Sequence, residues 1–186
     1  MDGAAITLRE LPTTTTPVFV SREPVRSPSA PHLSAALTQF VAMDPNCSGS
    51  ISVRFGKGFL MTSGRFAGLS EGDYTEVVDY DPVKGIALLI GMQPPTDVPL
   101  HWLVYRTFPM AGGAVHVSVD PPPAAITTRL EDRHPKGSFL SALDGVTALR
   151  SSPLVRSEGG WIAQGGDLAR CLLQFSPAAV RRAGGS

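Results

Sequence analysis

The sequence has few cysteines, few aromatic residues and no excess of charge of either sign. Of its 186 residues two are cysteines, 7% are aromatic, and sixteen basic residues balance sixteen acidic ones. Cys47 and Cys171 are too few for a disulfide scaffold and too far apart in sequence for a metal knuckle, so we expect free thiols. Without net charge or a basic run, nothing favours nucleic acid or an anionic membrane surface as a partner.

Long apolar runs are also missing. The longest runs, such as residues 86–90, are far too short to span a bilayer. The N-terminus mixes Asp2, Arg9 and Glu10 among small residues and lacks the pattern of a secretory signal. We therefore expect a cytoplasmic protein. With 42% hydrophobic residues in short alternating runs, the composition is typical of one globular domain.

Proline, threonine and serine are concentrated at the N-terminus. Residues 1–31 lack sustained periodicity and are predicted to form an extended Pro/Thr/Ser-rich arm, in which residues 18–20 are apolar enough for an edge strand. Residues 32–176 form the predicted domain. Residues 177–186 are predicted to be a flexible C-terminal tail.

Apolar periodicity within the domain predicts strands interleaved with helices. A first helix contains Leu33, Leu37 and Phe40 and is stopped by Pro45, and a last helix covers residues 166–175. Strands separated in this way, with helices at the ends and in the middle, indicate an α/β or α+β domain. Residues 124–137 have no assignment. A short helix is predicted at 138–143, and strands at 51–55, 59–62, 76–80, 86–90, 114–119, 147–149, 154–156 and 161–163.

Residues 94–118 carry the most chemical information. Pro99 suits the first turn of a helix and Asp97 suits its N-cap, so we predict a helix over residues 98–107. The next strand places His116 on the face opposite to its valines. A histidine in an apolar strand needs a hydrogen-bond partner or a ligand to offset its burial, so His116 is either a satisfied core residue or a functional one.

The order of these motifs resembles the class II aldolase and adducin family. The run P-T-D-V-P-L-H, a helix and then V-H-V-S is similar to the family's S-S-E-T-P-L-H, helix, V-H-T-H. Residues 49–54 (G-S-I-S-V-R) resemble G-N-[IV]-S-x-R, and residues 58–64 (G-F-L-M-T-S-G) resemble G-x-x-[IL]-T-P-S-G. Residues 154–160 (L-V-R-S-E-G-G) stand where the family has L-x-R-N-H-G. The resemblance covers about residues 33–175.

The resemblance implies an architecture and a set of partners. The family fold is a single domain with a mixed, mainly antiparallel sheet flanked by helices. A small-molecule substrate is implied, together with a homo-oligomer such as the cyclic homotetramer common among members.

The resemblance also implies an altered metal site. In metal-dependent members three histidines bind a divalent metal and a glutamate beside it acts as acid and base. Here His116 stands at the first ligand position, Ser118 at the second and Glu158 at the third, while Asp97 takes the acid/base position. Because a neutral serine hydroxyl is a poor zinc ligand, His116 and Glu158 alone fall short of the usual three. We expect weak or no binding of zinc or a similar metal, and no other cofactor.

Five positions correspond to the family's substrate and phosphate contacts. Ser50 replaces the asparagine of the glycine-asparagine turn, and Thr96 keeps one of two hydroxyls before the acid. Thr62, Ser63 and Gly64 keep a small hydroxylated loop. Hydroxyls and exposed backbone N–H groups suit anions, so these residues are the candidate phosphate site.

Asp97, His116 and Glu158 are therefore expected to line one cleft as the catalytic residues. Two carboxylates around an imidazole can serve as general acid and base. The expected function is proton transfer on a small hydroxycarbonyl compound, phosphorylated or not, by an aldolase-like lyase or by an isomerase or decarboxylase recruited to a biosynthetic pathway. The alternative is a non-catalytic, adducin-like binding or assembly module.

Two further histidines have weaker assignments. His101 lies in the P-L-H helix, where its counterpart in the family is structural. His134 lies in the unassigned segment, where it is either solvated or close enough to replace a missing ligand.

The ligand count predicts the response to one substitution. Ser118→His adds a strong imidazole donor beside His116 and should raise the affinity for zinc, measured by calorimetric titration. Stoichiometric zinc that survives purification and chelator treatment of the wild type would contradict the expected weak ligand set.

Overall fold

The computed structural model describes residues 11–92, 95–120, 128–131, 133–157 and 159–175. Within these ranges nine strands form one sheet and four α-helices cover it. The strands are β1 (Thr16–Ser21), β2 (Ser48–Phe55), β3 (Gly58–Arg65), β4 (Thr75–Asp81), β5 (Ile86–Gly91), β6 (Gly113–Ser118), β7 (Thr128–Arg129), β8 (Leu154–Ser157) and β9 (Gly160–Gly165). The helices are α1 (Ala30–Met43), α2 (Val98–Thr107), α3 (Phe139–Leu149) and α4 (Leu168–Leu173).

The sheet is mixed and mainly antiparallel. Its strand order is β1-β5-β4-β3-β2-β6-β9-β8-β7. The outermost pairs, β1 with β5 and β7 with β8, are parallel, and the inner pairs are antiparallel. The predicted fold class is confirmed. The edge strand predicted within the N-terminal arm is also confirmed, because β1 pairs with β5.

Helices bury both faces of the sheet. On one face α1 and α4 cover a core in which the ring of Phe40 packs edge-on against Phe66 and Phe175, with centroids 5.8 and 5.3 Å apart. On the other face α2 and α3 cover a second core that includes Phe59 and Val104. None of the helices in the described ranges has the length and apolar character needed to span a bilayer.

Strand β6 lies at the centre of the sheet between β2 and β9. Val115 and Val117 point into the core under α1 and α4, whereas Ala114 belongs to the core under α2 and α3. Because side chains alternate along a strand, His116 shares the face of Ala114. The predicted separation of His116 from the two valines is therefore confirmed.

The predicted strand at residues 147–149 is wrong, because α3 continues through Leu149. The Ser138 hydroxyl accepts from the Ser141 N–H and caps the helix. The Thr147 hydroxyl donates to the Leu143 carbonyl at 2.7 Å, which accommodates this β-branched residue within the helix. The segment 124–137 contains β7, and its residues 124–127 and 132 lie outside the described residues. Residues 1–10 of the arm and the predicted tail, 177–186, also lie outside them.

Arg54 connects the sheet to the end of α2. Its Nε donates to the Ala111 carbonyl at 2.9 Å, and its Nη2 donates to the carbonyls of Tyr105 and Phe108 at 3.0 and 3.3 Å. The guanidinium carbon also lies 4.9 Å from the centre of the Tyr105 ring. One side chain of β2 therefore binds three carbonyls in the last turn of α2 and the turn that follows it.

Arg54→Lys should lower the free energy of unfolding by about 2–4 kcal/mol, because an ammonium cannot reproduce the forked set of hydrogen bonds. Urea denaturation measures this change. The control is Arg106→Lys, since Arg106 lies 3.9 Å from Asp79 and both side chains are more than half exposed. A surface pair of this kind contributes less than about 1 kcal/mol. Equal losses in the two variants would contradict the role given to Arg54.

Candidate active site

Asp97 stands at the N-cap of α2, as predicted, but its side chain does not cap the helix. Its carboxylate Oδ2 instead accepts hydrogen bonds from the Ser50 hydroxyl at 3.2 Å and from His116 Nδ1 at 3.1 Å. Among the described residues Asp97 is the only non-glycine with a positive φ, of 61°. A left-handed backbone costs about 1–2 kcal/mol at such a residue. The strained turn directs the carboxylate at His116 rather than along the helix axis.

His116 is held at both ring nitrogens. Its Nδ1 contacts Asp97, and its Nε2 lies 3.0 Å from the hydroxyl of Ser157, the last residue of β8. The side chains of His116 and Asp97 are only 7% and 8% exposed. Because a carboxylate can only accept, Nδ1 carries the proton, and Nε2 of the neutral ring can accept from the Ser157 hydroxyl, for which the Gly160 carbonyl is the other acceptor.

A chain of hydrogen bonds extends from Asp97 into the protein interior. Since the Ser50 hydroxyl gives its proton to Asp97, it accepts from His101 Nε2, 2.9 Å away. His101 Nδ1 then accepts from the Ser52 hydroxyl at 2.6 Å. Ser52 in turn accepts from the Tyr105 hydroxyl at 2.8 Å. Every hydroxyl and ring nitrogen in this buried strip therefore has a partner.

The environment fixes the charge states of this strip. Burial lowers the pKa of His101 to about 4, so the ring is neutral at neutral pH. Burial alone would raise the pKa of Asp97, but the hydrogen bond and charge of His116, with the charges of His101 and Lys136, lower it to about 2. Burial raises the pKa of Tyr105 well above its ordinary value. At neutral pH Asp97 is therefore an anion and His101 is neutral.

A cavity of about 220 Å³ opens beside these side chains. Asp97, His116 and Ser157 line it, and His134 and Lys136 line it as well. The Lys136 Nζ and the His116 Nε2 lie 2.8 and 3.1 Å from the point that a Cβ on Gly159 would occupy. A larger residue at position 159 would therefore fill the space between the ammonium and the imidazole.

The structure brings together two of the three predicted catalytic residues. Asp97 and His116 are in direct contact at the cavity, whereas Glu158 lies outside the described residues. The sequence neighbours of Glu158, Ser157 and Gly159, both line the cavity.

The predicted phosphate residues lie in different surroundings. Ser50 is fully buried beneath Asp97, and the buried Thr62 donates to the Asp73 carbonyl at 3.4 Å. The Ser63 hydroxyl accepts from the Thr96 N–H at 3.0 Å, and Gly64 is exposed. Thr96 lines a neighbouring cavity of about 390 Å³ together with Asp97 and Lys136. Of the five, Thr96 is the one that lines a cavity next to Asp97.

The donors in the described residues do not fit a divalent metal. These residues contain no group of three or more histidine, cysteine, aspartate or glutamate side chains able to hold one. Both nitrogens of His116 are already hydrogen-bonded, and Ser118 is exposed at the end of β6. The nearest further imidazole at the cavity, His134, is about one-third exposed and lies 3.9 Å from Asp144.

Sequence reasoning missed Ser157 and Lys136. Ser157 stands at the asparagine position of the resembled motif, and this match could have marked it as a site residue. Lys136 lies in the segment 124–137, where no motif marked it. The cysteines are free, as predicted, and both are buried. Burial, with the charges of Asp44 and Asp167 respectively, raises the pKa of each thiol to about 12, so neither is a nucleophile at neutral pH.

His101 should make the protein sensitive to acid. The unfolded chain binds a proton at His101 below about pH 6.5, but the folded protein binds it only below about pH 4. Its contribution to stability is therefore complete above pH 6.5 and is lost as the pH falls towards 4, by about 3 kcal/mol. The carboxyl of Asp97 titrates below this range, because its pKa falls from an ordinary value of 3.8 to about 2 in the folded protein.

Urea denaturation between about pH 7 and 4 measures this loss. His101→Gln should flatten the profile, whereas the exposed control His32→Gln should keep the slope of the wild type. A wild-type stability that stays constant over this range would contradict the buried neutral state of His101.

Solved structures share this fold at low sequence identity. L-fuculose-1-phosphate aldolase from Thermus thermophilus has a TM-score of 0.63 and 19% identity over 87% of this chain and 99% of that one. Another L-fuculose 1-phosphate aldolase has a TM-score of 0.60 and 14% identity over 87% and 90%. A sugar-phosphate aldolase from Thermotoga maritima has a TM-score of 0.54 and 15% identity over 83% and 98%.

No protein-family model matches the sequence, and no curated protein matches it. Identities this low establish a fold and leave the reaction to the chemistry of the site. The chain therefore has the class II aldolase fold, as its sequence resemblance predicts.

Proposed function

We propose that the protein is an aldolase-like enzyme that moves a proton on a small hydroxycarbonyl compound. The observation that carries this proposal is the 3.1 Å hydrogen bond between Asp97 and His116 at the cavity. Burying a carboxylate and straining its backbone both cost free energy, which a purely structural N-cap would not require. Such costs concentrate at functional sites, where the strained geometry serves the chemistry.

In this scheme His116 is the general acid and base and Asp97 is its positioning residue. For cleavage, the substrate hydroxyl gives its proton to His116 Nε2, the adjacent carbon–carbon bond breaks, and its electron pair moves into the neighbouring carbonyl as an enolate. Asp97 keeps the proton on Nδ1 and stabilises the imidazolium. The Lys136 ammonium faces the same space and stabilises the enolate oxygen. Protonation of the enolate carbon by His116 completes the cycle.

The Lys136 ammonium supports an anionic substrate, because the Asp97 carboxylate that lines the same cavities is already hydrogen-bonded to His116. Lys136 lines both the main cavity and the neighbouring one, and His134 lines the main cavity. A carboxylate or phosphate next to Lys136 would leave the carbonyl within reach of His116. Thr96, with Ser63 and Gly64 in the adjoining loop, forms the proposed contact for a phosphate, since hydroxyl groups suit that anion.

Two further parts of the proposal depend on the sequence. Glu158 lies in the sequence between Ser157 and Gly159, which both line the cavity. This position supports the proposal that Glu158 is a second acid beside His116. Members of the resembled family form homo-oligomers, and we propose the same for this chain. The alternative function is a non-catalytic binding or assembly module.

Deuterium exchange in heavy water tests proton transfer directly. Dihydroxyacetone phosphate, a small phosphorylated hydroxyketone, should gain deuterium next to its carbonyl, as measured by NMR. L-fuculose 1-phosphate, named for two of the similar structures, is the test substrate for cleavage. Asp97→Asn and His116→Ala should each reduce the rate by ~100- to 10,000-fold, because the first removes the carboxylate that orients His116 and the second removes the acid–base group itself.

Matched controls separate loss of catalysis from loss of fold. The exposed His32→Ala and Asp79→Asn should keep the wild-type rate, and circular dichroism should show all four variants folded. Turnover that tolerates both Asp97→Asn and His116→Ala would place the chemistry elsewhere. Absence of exchange and cleavage in the wild type, combined with a binding activity that neither substitution alters, would favour the non-catalytic module.

A further inference from the structure

The proton-transfer scheme leaves Ser157 without a role. Its hydroxyl lies 3.0 Å from His116 Nε2, while Asp97 Oδ2 lies 3.1 Å from His116 Nδ1. These side chains come from three separate elements, β8, β6 and the residue before α2, and all three line the cavity. A hydroxyl, an imidazole and a carboxylate in series form the arrangement that activates a serine nucleophile.

We propose that Ser157 is a nucleophile and that the protein catalyses acyl transfer, hydrolysing small carboxylic esters. This activity goes beyond the proposed function, although both would use the Asp97–His116 pair. The ester carbonyl would occupy the cavity beside Ser157.

The directions of the hydrogen bonds support activation of Ser157. Because Asp97 keeps the proton on Nδ1, His116 presents an unprotonated Nε2 to the serine hydroxyl. The Ser157 hydroxyl also lies 3.2 Å from the Gly160 carbonyl. The hydroxyl carries one proton, so it donates either to that carbonyl or to Nε2 of the neutral ring. The second arrangement is the one that activates the serine.

Asp97 is positioned more firmly than a lone carboxylate would be. The Ser50 hydroxyl donates to the same oxygen that accepts from His116, and the buried His101 fixes the direction of the Ser50 proton. This second donor limits rotation of the carboxylate, which in turn orients the imidazole. The orientation on which nucleophile activation depends is thus built into the core.

The cavity suits a small acyl group. Its volume of about 220 Å³ is below the ~300–1,000 Å³ of sites for drug-sized ligands. The absence of a side chain on Gly159 leaves open the space between His116 Nε2 and Lys136 Nζ. The Lys136 ammonium can therefore stabilise the oxyanion that forms when the serine attacks.

The reaction balances without any cofactor. The Ser157 proton passes to His116 Nε2 as the Oγ–carbon bond forms, and the carbonyl electron pair becomes an oxyanion. When the oxyanion collapses, the carbon–oxygen bond to the alcohol breaks, and the alcohol takes the proton from His116. Water then gives a proton to His116 Nε2 and attacks the acyl carbon, the bond between that carbon and Ser157 Oγ breaks, and Oγ takes the proton back from His116 as the acid leaves.

A fluorophosphonate probe tests the nucleophile by a covalent mark. Intact mass should show one adduct per wild-type chain, and peptide mapping should place it on Ser157. Ser157→Ala should abolish the adduct. Asp97→Asn and His116→Ala should slow labelling, and hydrolysis of p-nitrophenyl acetate, by at least ~100-fold.

Two further variants keep the test decisive. Ser141→Ala removes another serine from the same cavity and should label as the wild type does. Ser157→Cys should react with iodoacetamide much faster than the buried Cys47 and Cys171, even if Ser157→Ala were unstable. Three results would overturn the proposal: labelling that persists in Ser157→Ala, rates of labelling and ester hydrolysis that do not change in His116→Ala, or a wild type that is not labelled. Labelling and deuterium exchange are separate measurements, so either proposal can fail without the other.

Discussion

The hydrogen bond between Asp97 and His116 is the interaction around which the rest of the site is arranged. It joins the N-terminus of α2 to the central strand β6 and lies almost entirely out of water. To form it, Asp97 gives up the capping bond of its own helix and adopts a left-handed backbone. Burial alone would raise the pKa of Asp97, but the hydrogen bond and the charge of His116 outweigh burial and lower it.

The polar strip behind this pair follows from two periodicities. Ser50 and Ser52 are two residues apart on β2 and share one face, whereas His101 and Tyr105 are four apart on α2 and also share one face. A two-residue step along a strand is ~6.6 Å long, and a four-residue step along a helix is ~6 Å long. The two pairs therefore meet in register and satisfy one another inside an apolar core.

The fold and the chemistry place different limits on function. The class II aldolase fold fixes where β2, β6 and α2 meet, but a fold by itself does not select a reaction. The reaction depends on what faces His116 Nε2, and here that group is the hydroxyl of Ser157. A small cavity in which the His116 imidazole contacts the Ser157 hydroxyl and the Lys136 ammonium faces the same space supports proton transfer and acyl transfer from the same base.

The sequence by itself determined the local elements and the identity of the key imidazole. Proline and apolar spacing predicted the bounds of α2, and alternation placed His116 opposite to Val115 and Val117, because both signals are contained in a few neighbouring residues. Only the tertiary structure decided that Asp97 binds His116 instead of capping, that residues 147–149 continue α3, and that Ser157 and Lys136 reach the cavity. These outcomes depend on strand register and on contacts between residues far apart in the chain, which local patterns do not encode.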